Sequence, residues 1–233
     1  MSEPGPSAPD QSGEPASGAL DISEGFANIF STPIVLHQWP ESDALNEELC
    51  QLILAKEAAS GGEKRSNVGG WHSDPDFFSW DAPSIREMRG RVISLLKAMS
   101  QATMDDSDIE RNFDHRLDGW ANVNRDGCYN NVHNHPNCVW SGTYYVSVGE
   151  LSSNDRYNGK LELLDPRAGA IQISIEGVTV GKRCLVNPEP GMMVMFPAWL
   201  NHFVHPYFGK GERISIAFNI LMRENPPPDM GRY

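Results

Sequence analysis

The alternation of apolar and polar positions divides the chain at about residue 114. Before that point the period is helical. Ser42-Asp-Ala-Leu-Asn-Glu-Glu-Leu has Ser42 as N-cap and predicts a helix to about Ala59. Pro83 suits a first helical turn, and Ile85, Met88, Val92, Leu95, Leu96 and Met99 recur at the spacing of one buried face, predicting a helix over about 83–103. Thr32 to His37 reads as a short strand. After Asp114 the period becomes two, with Trp120, Asn122 and Asn124 alternating against Ala121 and Val123. Strands are expected near 116–124, 139–148, 160–164, 171–175, 178–186, 192–197 and 213–221, punctuated by Gly, Pro and Asn. The fold predicted is mainly β with flanking helices, a barrel or jelly roll backed by the N-terminal helices.

Composition sharpens the boundaries. Residues 1–22 are rich in Pro, Gly, Ser and acid and nearly free of large apolar side chains, so they are expected to be a disordered tail. A single domain is expected over 23–225, with its barrel at about 114–223, and a short Pro-rich tail at 226–233. Residues 60–82 carry two Gly-Gly pairs and the aromatics Trp71, Phe77, Phe78 and Trp80, a loop suited either to closing over a site or to being pinned against the core.

The formal charge of −12 disfavours nucleic acid as a partner. No apolar run reaches the roughly 18–20 residues that would cross a bilayer, and the N-terminus lacks the pattern of a secretory signal, so a cytoplasmic location is expected. Cys50, Cys128, Cys138 and Cys184 form no C-x-x-C pair and are read as reduced thiols.

The candidate chemistry lies in the β half. His133 and His135 are two apart, so on an extended backbone their imidazoles share a side. His202 follows a Pro-Gly turn and an apolar strand, as a third ligand from a different strand would. Arg213 begins Arg-Ile-Ser-Ile-Ala-Phe-Asn-Ile, whose alternation puts Arg213, Ser215, Ala217 and Asn219 on one face. A guanidinium fork beside the hydroxyl of Ser215 suits a carboxylate. Trp120, Asn122, Tyr144 and Tyr145 lie on strands that line or flank the barrel. Asp165, in Asp-Pro-Arg, is the alternative carboxylate ligand or simply a turn cap. His37, His72, His115 and His205 are left outside the site.

The ordered set H-x-H, P-G-x-x-x-x-F-P-x-x-x-x-H and R-x-S resembles the double-stranded β-helix 2-oxoglutarate/Fe(II) oxygenases. Within them it is most similar to a bacterial subgroup sharing H-x-H-P-N, S-G-x-Y-Y, D-P-R and R-x-S-x-x-F-N. The resemblance covers roughly residues 26–223. It implies a cupin-like jelly roll, Fe(II) as metal and 2-oxoglutarate as co-substrate. It implies His133 and His202 around the iron and Arg213 with Ser215 on the distal carboxylate; Asn122 and Tyr144, from their place on strands that line or flank the barrel, are expected as further co-substrate contacts through amide and phenol. His135 stands where most such oxygenases have a carboxylate, so a three-histidine site is expected.

The activity implied is hydroxylation of a small-molecule or peptide substrate by dioxygen, and a homodimer is left open. Two other classes remain: a cupin-like three-histidine metalloprotein acting as an oxo-acid-independent dioxygenase or isomerase, and a non-catalytic barrel that binds a small acid. Arg213 and Ser215 count against the first; only turnover separates the second.

Overall fold

The computed structural model describes residues 24–25, 29–103, 113–152, 155–167 and 183–224. The tails expected at 1–22 and 226–233, the strand expected at 171–175 and the first part of that at 178–186 lie outside them. The chain divides into two units, Met1–Ser31 and Thr32–Tyr233, and the second carries every element named below.

The elements run β1 (Val35–Gln38), α1 (Asp43–Ala59), β2 (Asn67–Val68), β3 (Trp71–His72), a 3-10 turn (Phe77–Ser79), α2 (Pro83–Thr103) and β4 (Phe113–Asn124). They continue with β5 (Tyr129–His133), β6 (Trp140–Leu151), β7 (Leu161–Leu163), β8 (Cys184–Val186), β9 (Met192–Pro197), β10 (His202–Val204) and β11 (Gly209–Glu224). All named strand pairs are antiparallel. They form a six-stranded sheet, β1-β9-β6-β11-β4-β3, and a five-stranded sheet, β2-β5-β10-β7-β8, the two layers of a jelly roll.

Period-two alternation on the long strands builds two cores. On β11, Ile214, Ile216, Phe218 and Ile220 meet Leu49 and Ile53 of α1 and Met88 and Val92 of α2 in one cluster; all eight are fully or almost fully buried. Each such side chain contributes about 1.5–3 kcal/mol by leaving water. The opposite face of the six-stranded sheet, through Tyr145, Val194 and Phe196, packs on Leu161, Leu163 and Val186 of the five-stranded sheet. The site lies in this inter-sheet layer, backed through one sheet by the helices.

Helix α2 occupies the predicted range, and α1 begins one residue after the expected N-cap. Ser42 does not cap by its side chain, because its backbone is already helical and its hydroxyl donates to the carbonyl of Trp39 at 2.9 Å while accepting from Arg91 at 2.7 Å. The loop over 60–82 takes the pinned alternative. Its two short strands join the sheet edges, Phe77 is fully buried, and the Trp80 indole donates to Asp76 at 3.0 Å. The Ser73 hydroxyl accepts from the amide of Ala121 at 3.0 Å, fixing the segment to β4. Phe77 and Trp80 are buried and Trp71 and Phe78 half-buried against the same core, which anchors the loop.

Candidate active site

Strand β10 lies between β5 and β7, and its first residue, His202, stands directly opposite His133, the last residue of β5. This cross-strand pair brings the two ring centroids to 4.3 Å. His135 follows β5; its backbone N–H donates to the carbonyl of Ala198 at 2.9 Å, holding it against the turn that leads into His202. Its ring lies 5.0 Å from that of His133 and 5.2 Å from that of His202. One ring nitrogen from each of the three lies within 4.8 Å of the others, the spacing of a facial triad of donors around one ion.

The outer ring nitrogens are committed elsewhere. Nδ1–H of His133 donates to the carbonyl of Asn131 at 2.7 Å, and Nδ1–H of His202 to that of Leu200 at 2.8 Å. Each bond fixes the tautomer that leaves an Nε2 lone pair facing inward. Nδ1 of His135 meets the Asn219 side chain at 3.2 Å. Burial lowers the pKa of His133; burial and then the His133 imidazole push His135 down to about 4 and His202 down to about 3. Near neutrality all three rings are uncharged, the protonation state a cation needs.

Arg213 sits on β11 one sheet away, in the same cavity. It is 2% exposed, and among the described residues no carboxylate pairs with it. Its Nε donates to the carbonyl of Gly159 at 3.1 Å, and its guanidinium carbon lies 5.2 Å from the centre of the Tyr145 ring. Desolvation lowers its pKa, yet an arginine of this kind remains a cation. A buried cation without a counter-charge is costly and calls for an anion. Ser215 and Tyr145 line the same cavity, as does Asn122, whose buried Oδ1 has no hydrogen-bond partner; the Tyr145 phenol is buried without a well-formed bond. Guanidinium, phenol, hydroxyl and amide together fit the two carboxylates and the keto group of a small oxo-acid reaching toward the histidines.

Of the residues expected at the site, His133, His135, His202, Arg213, Ser215, Asn122, Trp120 and Tyr145 line one cavity. Tyr144 does not, and its expected co-substrate contact is corrected. It points to the helical face of β6, where its hydroxyl donates to Asn46 on α1 at 2.7 Å. Adjacent strand residues face opposite ways, so Tyr145 takes the inner position. Asp165 is also absent from the cluster: both of its oxygens accept from Arg167, which holds its carboxyl below the usual range. It is the turn cap that its Asp-Pro-Arg context allowed. The sequence reading missed Ser66, whose hydroxyl lies 3.5 Å from Nε2 of His133, because nothing in its Gly- and charge-rich loop signals β2 pairing with β5.

Residues 118–219 match the family model described as "Putative 2OG-Fe(II) oxygenase". No functionally curated protein matches the sequence. Among solved structures, the chain is similar to a Pseudomonas putida prolyl-4-hydroxylase at 15% identity and a TM-score of 0.58, over 83% of this chain and 94% of that one. It is similar to HygX from Streptomyces hygroscopicus, solved with nickel, 2-oxoglutarate and hygromycin B, at 10% identity and a TM-score of 0.53, over 81% and 82%. It is also similar to a Trichoplax adhaerens prolyl hydroxylase in complex with a peptide fragment, at 12% identity and a TM-score of 0.53, over 81% and 83%. At these identities the likenesses establish a shared fold. The family match includes all three histidines and Arg213, and it supports the 2-oxoglutarate/Fe(II) oxygenase superfamily.

Proposed function

We propose that the protein is an Fe(II)- and 2-oxoglutarate-dependent oxygenase in which His133, His135 and His202 hold the iron and Arg213 anchors the co-substrate. The observation that carries this reading is the pairing, in one cavity, of three inward-facing neutral imidazoles with a buried arginine that has no carboxylate partner. A triad of donors on one side leaves coordination positions open on the other.

The protein's residues have distinct tasks. Arg213 and Ser215 take the distal carboxylate of 2-oxoglutarate, and Tyr145 and Asn122 complete its polar surroundings. Leu161 and Phe196, both 3% exposed or less, wall the cavity with apolar surface and exclude water. When bound, the iron supplies oxidative decarboxylation of the co-substrate coupled to oxidation of substrate by dioxygen, chemistry that belongs to the metal and co-substrate. Three neutral imidazoles leave the full charge of the cation uncompensated, which strengthens its attraction for an anionic co-substrate.

Trp120 is the candidate rim residue for substrate. It stacks on His72 at 5.3 Å and lies 5.7 Å from His135. The substrate is a small molecule or a peptide; the solved relatives include proteins whose structures hold each.

The test is quantification of succinate formed from 2-oxoglutarate in air by the Fe(II)-loaded protein, against His202→Ala, across a panel of small-molecule and peptide substrates. Succinate above the variant's background is expected. Dioxygen consumption without succinate would move the assignment to a three-histidine dioxygenase that needs no oxo-acid.

A further inference from the structure

Two of the three histidines have their tautomers fixed by backbone carbonyls, and the third does not. Nδ1 of His133 and of His202 faces a carbonyl, which can only accept, so each ring must keep its proton on Nδ1 and present Nε2 as a lone pair. Nδ1 of His135 faces a carboxamide, which can either accept or donate. In the structure the Asn219 side-chain NH2 donates to Nδ1 at 3.2 Å, and its oxygen accepts a short bond from the hydroxyl of Ser141. In that arrangement the neutral His135 ring carries its proton on Nε2. It cannot donate that nitrogen to a metal.

Rotating the carboxamide by half a turn reverses every role with the same atoms in place. The Asn219 oxygen then accepts from Nδ1–H, and its NH2 donates to the hydroxyl of Ser141. That hydroxyl retains an acceptor in the carbonyl of Phe218, 3.5 Å away. Both arrangements leave Asn219 and Ser141 with hydrogen-bond partners, and only the second frees Nε2 of His135.

We infer that Asn219, with Ser141 behind it, is the positioning residue that decides whether His135 acts as the third ligand, by switching the tautomer of its imidazole. The inference rests on the metal site proposed above. It makes His133 and His202 the permanent pair and His135 a ligand recruited when a cation arrives. Histidine at this position thus depends on a polar neighbour in a way that a carboxylate, which needs no tautomer, would not.

The test is Co(II) titration followed by its visible absorption, with wild type, Asn219→Asp and Asn219→Leu, together with 15N spectra of the His135 ring before and after metal. An aspartate can only accept, so Asn219→Asp locks the ligating tautomer and binds Co(II) at least as tightly as wild type. Asn219→Leu removes the partner and binds roughly 10–100-fold more weakly, the usual effect of losing an outer-shell hydrogen bond to a ligand. The 15N signals of wild type move the His135 proton from Nε2 to Nδ1 on metal binding; those of Asn219→Asp show Nδ1–H throughout. Equal affinity in Asn219→Leu and wild type, or equal weakening in both variants, would overturn the inference. If Asn219→Leu fails to fold, the aspartate comparison and the ring spectra still decide. Absence of Co(II) binding to wild type would remove the metal site and the inference together, a result distinct from binding that ignores Asn219.

Discussion

Replacing Arg213 by methionine should make the ligand-free protein more stable and unable to hold 2-oxoglutarate. The side chain is 2% exposed, has no carboxylate partner among the described residues and makes one hydrogen bond to a backbone carbonyl, so the empty protein keeps a desolvated cation at a net cost. Methionine has comparable length and no charge, and removing buried ions in favour of apolar groups of similar volume is neutral or stabilising by about 1–4 kcal/mol. The carbonyl of Gly159 loses a partner, which offsets about 1 kcal/mol of that gain. In the ligated state the balance reverses. A bidentate pair of charge-assisted bonds is worth roughly 3–6 kcal/mol, at about 1.5–3 kcal/mol for each bond, so co-substrate affinity should fall by about two to four powers of ten.

Thermal unfolding with a redox-inert divalent metal, with and without 2-oxoglutarate, reads both halves. At about 100 times its Kd the co-substrate should stabilise wild type by about 2.7 kcal/mol, or roughly 5–10 °C, and should not shift Arg213→Met. Two results would refute the reasoning: an undiminished 2-oxoglutarate shift in the variant, or a ligand-free variant several kcal/mol less stable than wild type. The latter would mean that Arg213 is a structural ion.

The tyrosine pair offers an internal control: Tyr145→Phe should weaken 2-oxoglutarate binding with little effect on folding, whereas Tyr144→Phe leaves Asn46 without its donor and should cost about 1–3 kcal/mol of stability with co-substrate affinity unchanged, as denaturant unfolding and calorimetric titration will report. Asp165→Asn should bind metal like wild type while His202→Leu should not bind it, measured by metal content after dialysis. The metal-free protein should lose stability as pH falls from about 6.5 to about 4. Over that window the unfolded chain takes up protons that the buried His135 and His202, with pKa values of about 4 and about 3, refuse. His202→Leu should flatten this dependence in unfolding curves collected across the range.

The long elements were legible because their periods are long enough to read. Six apolar positions at helical spacing gave α2 its bounds, and the alternation from Arg213 to Ile220 separated the inner from the helical face of β11. The strands that present the histidines were not read as strands. β5 is Tyr-Asn-Asn-Val-His and β10 is three residues long; both hold their place by pairing with neighbours distant in sequence, and their composition is that of a loop. The ligand candidates were nevertheless found, because H-x-H and a later histidine need only chemistry to be noticed. Tyr144 and Tyr145 could not be told apart without the phase of β6, which Ser141, Thr143 and Tyr145 on the cavity side fix. Asn219 lay on the predicted inner face, but its contact with His135 spans 84 residues and leaves no local trace.

The most direct test of the account is an anaerobic titration of Fe(II) and 2-oxoglutarate into the purified protein, watching for the weak visible charge-transfer band of an iron-bound oxo-acid in wild type and Arg213→Met. A saturable band that requires both components is expected in wild type and is lost in the variant. Iron retained by the three histidines with no band on adding 2-oxoglutarate would contradict that expectation.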